Sequence, residues 1–339
     1  MNERITITDV TLRDGSHPME HQFTPEQVAS VAKALDQAGV PMIEVSHGDG
    51  VGGSSIQYGR SRYSEFELIR TAREIMTQAK LAFLYIPGLA TSHEMLQAQE
   101  SGADTVRVAT HCTEADCSEE AINIAKSRGL QVVAFLMMAH MAEPTVLGQQ
   151  AELMKRYGAD VVYVVDSAGA LLPEQAFERV EAVVRAVGTP VGFHGHNNLS
   201  MGVANSVAAI EAGAQWIDAS LAGFGAGAGN TPLEVLVAVL DRKGIPTGID
   251  LYAVMDAAET IARPMMPFPI RIDRDSLTIG VAGCYSTFLV HAQHASERFG
   301  VDTREILIEA GKRQLVAGQE DMLIDIAYQL SQAAVSGLR

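Results

Sequence analysis

Two histidines separated by one residue, His194-Gly195-His196, form the sharpest chemical element in the chain. On a strand, residues i and i+2 point to the same side, so the two imidazoles converge on one point and the small Gly195 leaves room around them. Such a pair alone is a weak sign of a metal; it needs a third ligand. Asp14, in Thr11-Leu12-Arg13-Asp14-Gly15, is the natural carboxylate. Two imidazoles and one carboxylate, with positions left open, suit Mn²⁺, Mg²⁺, Co²⁺ or Fe²⁺ better than structural zinc. Arg13 carries paired donors that stay charged, which suits a substrate carboxylate or a developing enolate oxygen. His17 is the best general base, since its ordinary pKa lies near working pH. Ser167 offers a hydrogen bond to a carboxylate. Glu44 stands in an apolar run and must be paired if ionised, either with Arg13 or with a water on the metal. Each residue also has a bland reading. Asp14 can be a helix N-cap or an ion-pair partner of Arg13, His17 a loop histidine, and Ser167 a strand-end cap.

The elements that would position these residues recur along the chain. Eight apolar, β-branched runs read as strands buried on both faces: Ile5–Val10, Met42–Ser46, Leu81–Ile86, Thr105–Ala109, Gln131–Met138, Val161–Val165, Val191–His194 and Trp216–Leu221. Between and after them lie eight helical segments, Glu26–Ala38, Glu65–Gln78, Ser92–Ser101, Ser118–Arg128, Thr145–Tyr157, Glu174–Val187, Met201–Ala212 and Leu233–Lys243. All but the second stop at a glycine, the expected stop residue. A strand and a helix recurring eight times, with no GxGxxG after the first strand, predict a closed (β/α)₈ TIM barrel rather than an open doubly wound sheet. The active site of such a barrel lies at the C-terminal ends of its strands. Seven of the ten histidines (His17, His21, His47, His111, His140, His194 and His196) fall in the segments just after strands. The loop Gly223–Gly229 before the last helix reads as an anion cradle or as a tight turn. It lacks the lysine of a Walker loop, so nucleotide is not expected.

The barrel is expected to close near Gly244. Beyond a Pro-rich link, Arg263–Pro269, the sequence predicts helices near Ser286–Phe299, Thr303–Ala310 and Met322–Ala334. This divides the chain into a catalytic barrel, 1–262, and a small helical C-terminal domain, 263–339. Composition narrows the function. Lys+Arg 25 against Asp+Glu 41 gives a net charge of −16, which repels phosphate backbones and makes nucleic acid an unexpected partner. No apolar run is long enough for a membrane span, and Met1–Ile7 has no signal-peptide core. Three cysteines are too few for a disulfide framework, so a soluble cytoplasmic protein is expected.

With these residues placed, the chain resembles the HMG-CoA lyase-like superfamily of metal-dependent pyruvate lyases and condensing enzymes, and within it the 4-hydroxy-2-oxovalerate aldolases. The resemblance runs over nearly the whole chain. It is carried by Asp9–His17, His47–Gly50 with Gly53–Ser55, Val106–Asp116, Phe135–Met138, Tyr163–Gly169, Asp218–Gly223 and Gly318–Met322. It implies Asp14, His194 and His196 as metal ligands, with Mn²⁺ first and Mg²⁺ or Co²⁺ as alternatives. It implies Arg13 as the group that stabilises a pyruvate enolate, His17 as the base and Ser167 as the contact to the pyruvate carboxylate. Tyr285 matches a tail tyrosine that reaches the site near the 4-hydroxyl. The implied reaction is cleavage of a 4-hydroxy-2-oxoacid to pyruvate and an aldehyde. The implied partner is an acylating acetaldehyde dehydrogenase docked on the helical tail. Two alternatives stand beside this reading: a Claisen-type enzyme joining an acyl-CoA to a 2-keto acid, and a dehydrogenase-binding subunit with altered chemistry. The chain departs from the family pattern His-Ala-His-His-Asn at Gly195 and Asn197, and has Pro18 and Glu20 where Glu20 replaces a basic residue. Both departures are expected beside the active site. The Gly223–Gly229 loop lacks the cysteine that HMG-CoA lyase carries there.

Overall fold

The computed structural model describes residues 4–335; the outermost residues of the two expected domains, 1–3 and 336–339, lie outside it. Eight parallel strands close into a barrel in chain order, β1 pairing with β8. They are β1 Thr6–Asp9, β2 Met42–Glu44, β3 Lys80–Tyr85, β4 Thr105–His111, β5 Gln131–Met137, β6 Val161–Asp166, β7 Val191–Gly195 and β8 Trp216–Ala219. Each sits within two residues of its expected place at both ends, because a strand buried on both faces shows itself as a nearly unbroken apolar run. The outer ring comprises α1 Pro25–Gln37, α2 Glu65–Ile75, α3 Ser92–Glu100, α4 Glu119–Ser127, α5 Pro144–Tyr157, α6 Pro173–Val187, α7 Gly202–Glu211 and α8 Leu233–Arg242.

Local chemistry explains the helix ends. At α1, the Thr24 hydroxyl accepts from Gln27 N while the Gln27 side chain accepts from Thr24 N, a reciprocal cap with Pro25 as the first helical residue. α5 and α6 stop at Gly158 and Gly188, both in the left-handed region. α2 is shorter than expected. It ends at Ile75 rather than Gln78, because the Asp36 carboxylate accepts from Thr77 N, Gln78 N and Ala79 N and pulls that stretch out of the helix.

Past α8 the structure adds helix where the sequence reading had none. α9 Leu251–Ala257 runs through a π-helical turn, Ala258–Ala262, into α10 Arg263–Met265. Val254, Ala257, Ala258 and Ala262 join the core between the barrel and its helices. The start of the expected Pro-rich link is thus helical, and barrel packing continues past Gly244. Asp250 caps α9 by accepting from Ala253 N. α11 Arg274–Ala282 is a second unexpected helix, capped by Asp273 with Ser276. It joins α12 Phe288–Phe299, α13 Thr303–Lys312 and α14 Met322–Val335 around a separate core that includes Ile279, Phe288, Ile306, Leu307 and Leu323. Among the described residues no helix is long and apolar enough to cross a membrane.

Candidate active site

The turn after β1 sets the first part of the site. The Asp9 carboxylate accepts from Thr11 N at 2.9 Å and from the Thr11 hydroxyl at 3.0 Å, while that hydroxyl accepts from Leu221 N after β8. The closed turn hands over to a 3-10 turn, Asp14–Ser16, and presents Arg13 and Asp14 at the barrel mouth. Arg13 Nη1 donates to Asp14 Oδ2 at 2.7 Å, and Arg13 Nε donates to Glu44 Oε2 at 2.9 Å. Glu44 is fully buried and is the partner of Arg13, one of the two readings the sequence allowed.

β7 supplies the two imidazoles. Their rings stand 5.1 Å apart. His194 Nδ1 lies 2.9 Å from Asp218 Oδ2 and His196 Nδ1 lies 3.3 Å from the Ala226 carbonyl. Those acceptors place the ring protons on Nδ1, leaving both Nε2 lone pairs free. His194 Nε2 and His196 Nε2 lie 3.8 and 3.7 Å from Asp14 Oδ2. Asp14, His194 and His196 are all buried, with candidate ligand atoms within 4.8 Å of one another. A carboxylate oxygen and two freed imidazole nitrogens aimed at one point fit a divalent ion. Burial alone would raise the Asp14 pKa, yet Arg13, then His196, His17 and His194, hold it well below the usual carboxylate range. Burial brings His196 down to about 4. Asp14 and His196 are thus deprotonated and open to a cation at neutral pH.

Gly195, one of the departures, has a physical cause. A Cβ there would stand 2.8 Å from the Phe193 ring, which fills the space an alanine methyl would need. Asn197, the second departure, is not at the site: its Oδ1 accepts from Gly202 N and caps α7. Glu20 is exposed and Pro18 partly so, and both line an outer cleft rather than the catalytic cavity.

His17 closes one side of a small cavity of about 30 Å³, which Arg13, Asp14, Ser167, His194, His196 and Tyr285 also line. All the expected site residues therefore meet in one place. Burial drives the His17 pKa down to about 3, against the pull of Asp14, so the ring is neutral at pH 7. Ser167 Oγ accepts from Met138 N at 3.1 Å, which leaves its proton free to donate. Tyr285 arrives from the tail on a loop tied down twice: Gly283 O accepts from His140 Nε2 at 2.9 Å, and Ser167 O accepts from Ser286 Oγ at 2.7 Å. Leu84, Ile86, Phe135, Met137 and Val165 make one side of the wall apolar, and Asp49, Ser286 and Thr287 complete the lining with polar groups. His17, Asp49, Ser286 and Thr287 also border a larger cleft of about 1010 Å³ between barrel mouth and tail.

The seven post-strand histidines divide. His17, His194 and His196 meet at the cavity, and His21 stacks on His47 at 3.6 Å beside it. His140 anchors the tail, and His111 bonds Thr113 away from the cavity. His17, His21 and Asp49 form a second group of possible cation ligands, but His21 Nδ1 is engaged by Ser16 Oγ at 3.1 Å. The Gly223–Gly229 loop is no anion cradle. Ala226 N donates to Asp14 Oδ1 at 2.9 Å and Ala226 O holds His196, so the loop orients two of the candidate ligands. Sequence reading also passed over Arg107 and Asp218. A charged residue inside an unbroken apolar strand was the available signal, the same one that singled out Glu44.

The HMGL-like family matches residues 4–261, and the DmpG-like communication domain matches 270–332. A 4-hydroxy-2-oxovalerate aldolase from Chloroflexus aggregans is 58% identical over 98% of this chain and 97% of its own. Another, from Geobacillus stearothermophilus, is 55% identical over 98% of each. The chain belongs to the 4-hydroxy-2-oxovalerate aldolase family. Its members are carbon–carbon lyases of the divalent-metal-dependent HMGL-like group. The carboxyl transferase domain of Rhizobium etli pyruvate carboxylase shares the fold, with a TM-score of 0.83 at 17% identity over 97% of this chain and 60% of that one.

Proposed function

We propose that the chain cleaves 4-hydroxy-2-oxovalerate, or a close 4-hydroxy-2-oxoacid, to pyruvate and an aldehyde. The observation that carries this reading is the convergence of Asp14, His194, His196, Arg13 and His17 on one small cavity at the barrel mouth. Asp14, His194 and His196 would hold the divalent ion, Mn²⁺ first, which supplies Lewis acidity and a template for the keto acid when bound. Ser167 donates its free hydroxyl proton to the substrate carboxylate. Neutral His17 takes the proton of the C4 hydroxyl, directly or through a water. As the C4 carbonyl forms, the C3–C4 bond breaks and its electron pair moves into the pyruvate enolate. The Arg13 guanidinium meets the negative charge on the enolate oxygen, preorganised by Glu44 and Asp14. Protonation at C3 then gives pyruvate. Tyr285 borders the cavity, where it would face the substrate's 4-hydroxyl, and the apolar side of the wall limits the water that reaches the enolate. No observation favours acyl-CoA condensation or a purely scaffolding role.

The tail is read as the docking domain for an acylating acetaldehyde dehydrogenase, supported by the communication-domain match over 270–332. We place the division between catalytic and docking domains at 262/263. Three free thiols, two of them buried, support work in the reducing cytoplasm. The test is pyruvate release from 4-hydroxy-2-oxovalerate by the purified chain, with Mn²⁺ and then with EDTA. Release that EDTA abolishes and Mn²⁺ restores is expected; no release from folded, metal-loaded protein would overturn the proposal.

A further inference from the structure

TIM-barrel interiors are ordinarily packed with layers of branched apolar side chains. This one contains a charged crossbar. Arg107 on β4 is fully buried, and its guanidinium lies 4.3 Å from the centre of the Phe135 ring. Arg107 Nη1 donates to Glu44 Oε2 on β2 at 2.7 Å, and its Nη2 donates to Asp218 Oδ2 on β8, four strands away around the barrel. Each of those two oxygens has a second partner in the active site. Glu44 Oε2 also accepts from Arg13 Nε, and Asp218 Oδ2 also accepts from His194 Nδ1. The chain of contacts therefore reads Arg13, Glu44, Arg107, Asp218, His194. Asp14 bonds Arg13 at one end and faces His194 at the other, so the series bends back on itself.

We propose that Arg107 is a positioning residue that sets the enolate-binding arm and the metal-binding arm of the site as one unit, through Glu44 and Asp218. This rests on the function proposed above. Three observations separate it from a merely structural ion pair. First, the network is imperfectly satisfied: Glu44 Oε1 and Arg107 Nε have no hydrogen-bond partner among the described residues. A buried ionic cluster with orphaned atoms is a poor source of stability, and apolar residues of similar volume would serve the core as well or better. Second, both acids use one oxygen to hold Arg107 and an active-site side chain together, so a displacement at either end is transmitted to the other. Third, the carboxylate behind a metal-binding imidazole fixes its ring and tautomer. A planar fork is what two carboxylates on β2 and β8, the strands that flank β1, require when both face Arg107 on β4; the single ammonium of lysine cannot hold both in fixed directions.

The test compares wild type with Arg107→Met and Arg107→Lys. It reads the Mn²⁺ dissociation constant from the free-ion EPR signal, kcat and KM separately, and folding by circular dichroism. Arg107 touches neither the ligand set's free nitrogens nor the cavity. R107M is nevertheless expected to bind Mn²⁺ about 10- to 100-fold more weakly, the range seen when outer partners of metal ligands are lost. Its kcat should fall by at least about tenfold with KM little changed, because the lost alignment matters most in the transition state. R107K should recover only part of either. A folded R107M with both Mn²⁺ affinity and kcat within about threefold of wild type would overturn the inference. If R107M does not fold, Glu44→Gln decides by the same readouts, since Glu44 bonds no member of the Asp14, His194 and His196 set. Wild-type protein that binds no Mn²⁺ and releases no pyruvate would instead sink the function on which the inference rests.

Discussion

Arg13 is held from two sides, by Glu44 through Nε and by Asp14 through Nη1, with burial opposed by both acids so that its pKa stays above the usual arginine value. Its role is therefore one of direction as much as charge. A lysine there keeps the charge and loses the fork. Arg13→Lys should reduce kcat by about 10²–10³-fold, the size of effect seen when one preorganised donor is removed. It should still bind metal, because Asp14, His194 and His196 are intact. Kinetics and metal analysis on the same preparation check this, and a near-normal kcat would remove Arg13 from the enolate role. At this scale the sequence was informative where residue type is itself unusual. Histidines after strands and an acid inside an apolar run stand out. Arg107 and Asp218 escaped notice because their partners lie on other strands, up to half a barrel away.

The glycine-rich loop shows what an element adds. In sequence, alternate glycines before a helix suggest an anion cradle, because backbone N–H groups gather at a helix start. In the fold, the Ala226 N–H is spent on the Asp14 carboxylate and the Ala226 carbonyl on His196. Close approach is the reason for Gly225: a Cβ would run into the Asn230 side chain and stand 3.1 Å from Asp14 Oδ1. Gly225→Ala should therefore displace the Asp14 carboxylate and weaken divalent-metal binding by about 10-fold or more, with secondary structure unchanged. Titration followed by calorimetry would show it; unchanged affinity would mean that the loop has no part in holding Asp14. Barrel strands were legible because burial on both faces leaves an unbroken signal. α9 and α11 were not, although Asp250 and Asp273 mark their caps, because their short apolar stretches carry little period of their own.

Across the whole molecule, the described residues form three apolar clusters, one between barrel and outer helices, one inside the barrel and one among the tail helices, and the cavity takes part of its wall from the last two, through Leu84, Phe135 and Val165 and through Tyr285. The tail also keeps apolar side chains in solvent. Leu277 and Val281 on α11 and Ile308 on α13 are exposed, Val281 by 71%. These side chains are the place to test the docking role proposed for the tail. If the tail docks an acylating acetaldehyde dehydrogenase as proposed, a Leu277→Asp, Val281→Asp double variant should weaken that complex at least about 10-fold while leaving pyruvate release intact. Co-elution and turnover measured together would check this, and undiminished binding would move the docking surface elsewhere. The barrel itself was readable from repetition, whereas the meeting of tail and mouth depends on contacts such as His140 with Gly283 that no local pattern announces. The most direct test of the account is an anomalous difference map at the manganese edge, from crystals grown with Mn²⁺. A single strong peak bounded by Asp14 Oδ2 and the two Nε2 atoms of His194 and His196 is the expected result. A peak among His17, His21 and Asp49 instead, or none from protein whose cleavage of the hydroxy keto acid requires Mn²⁺, would contradict it.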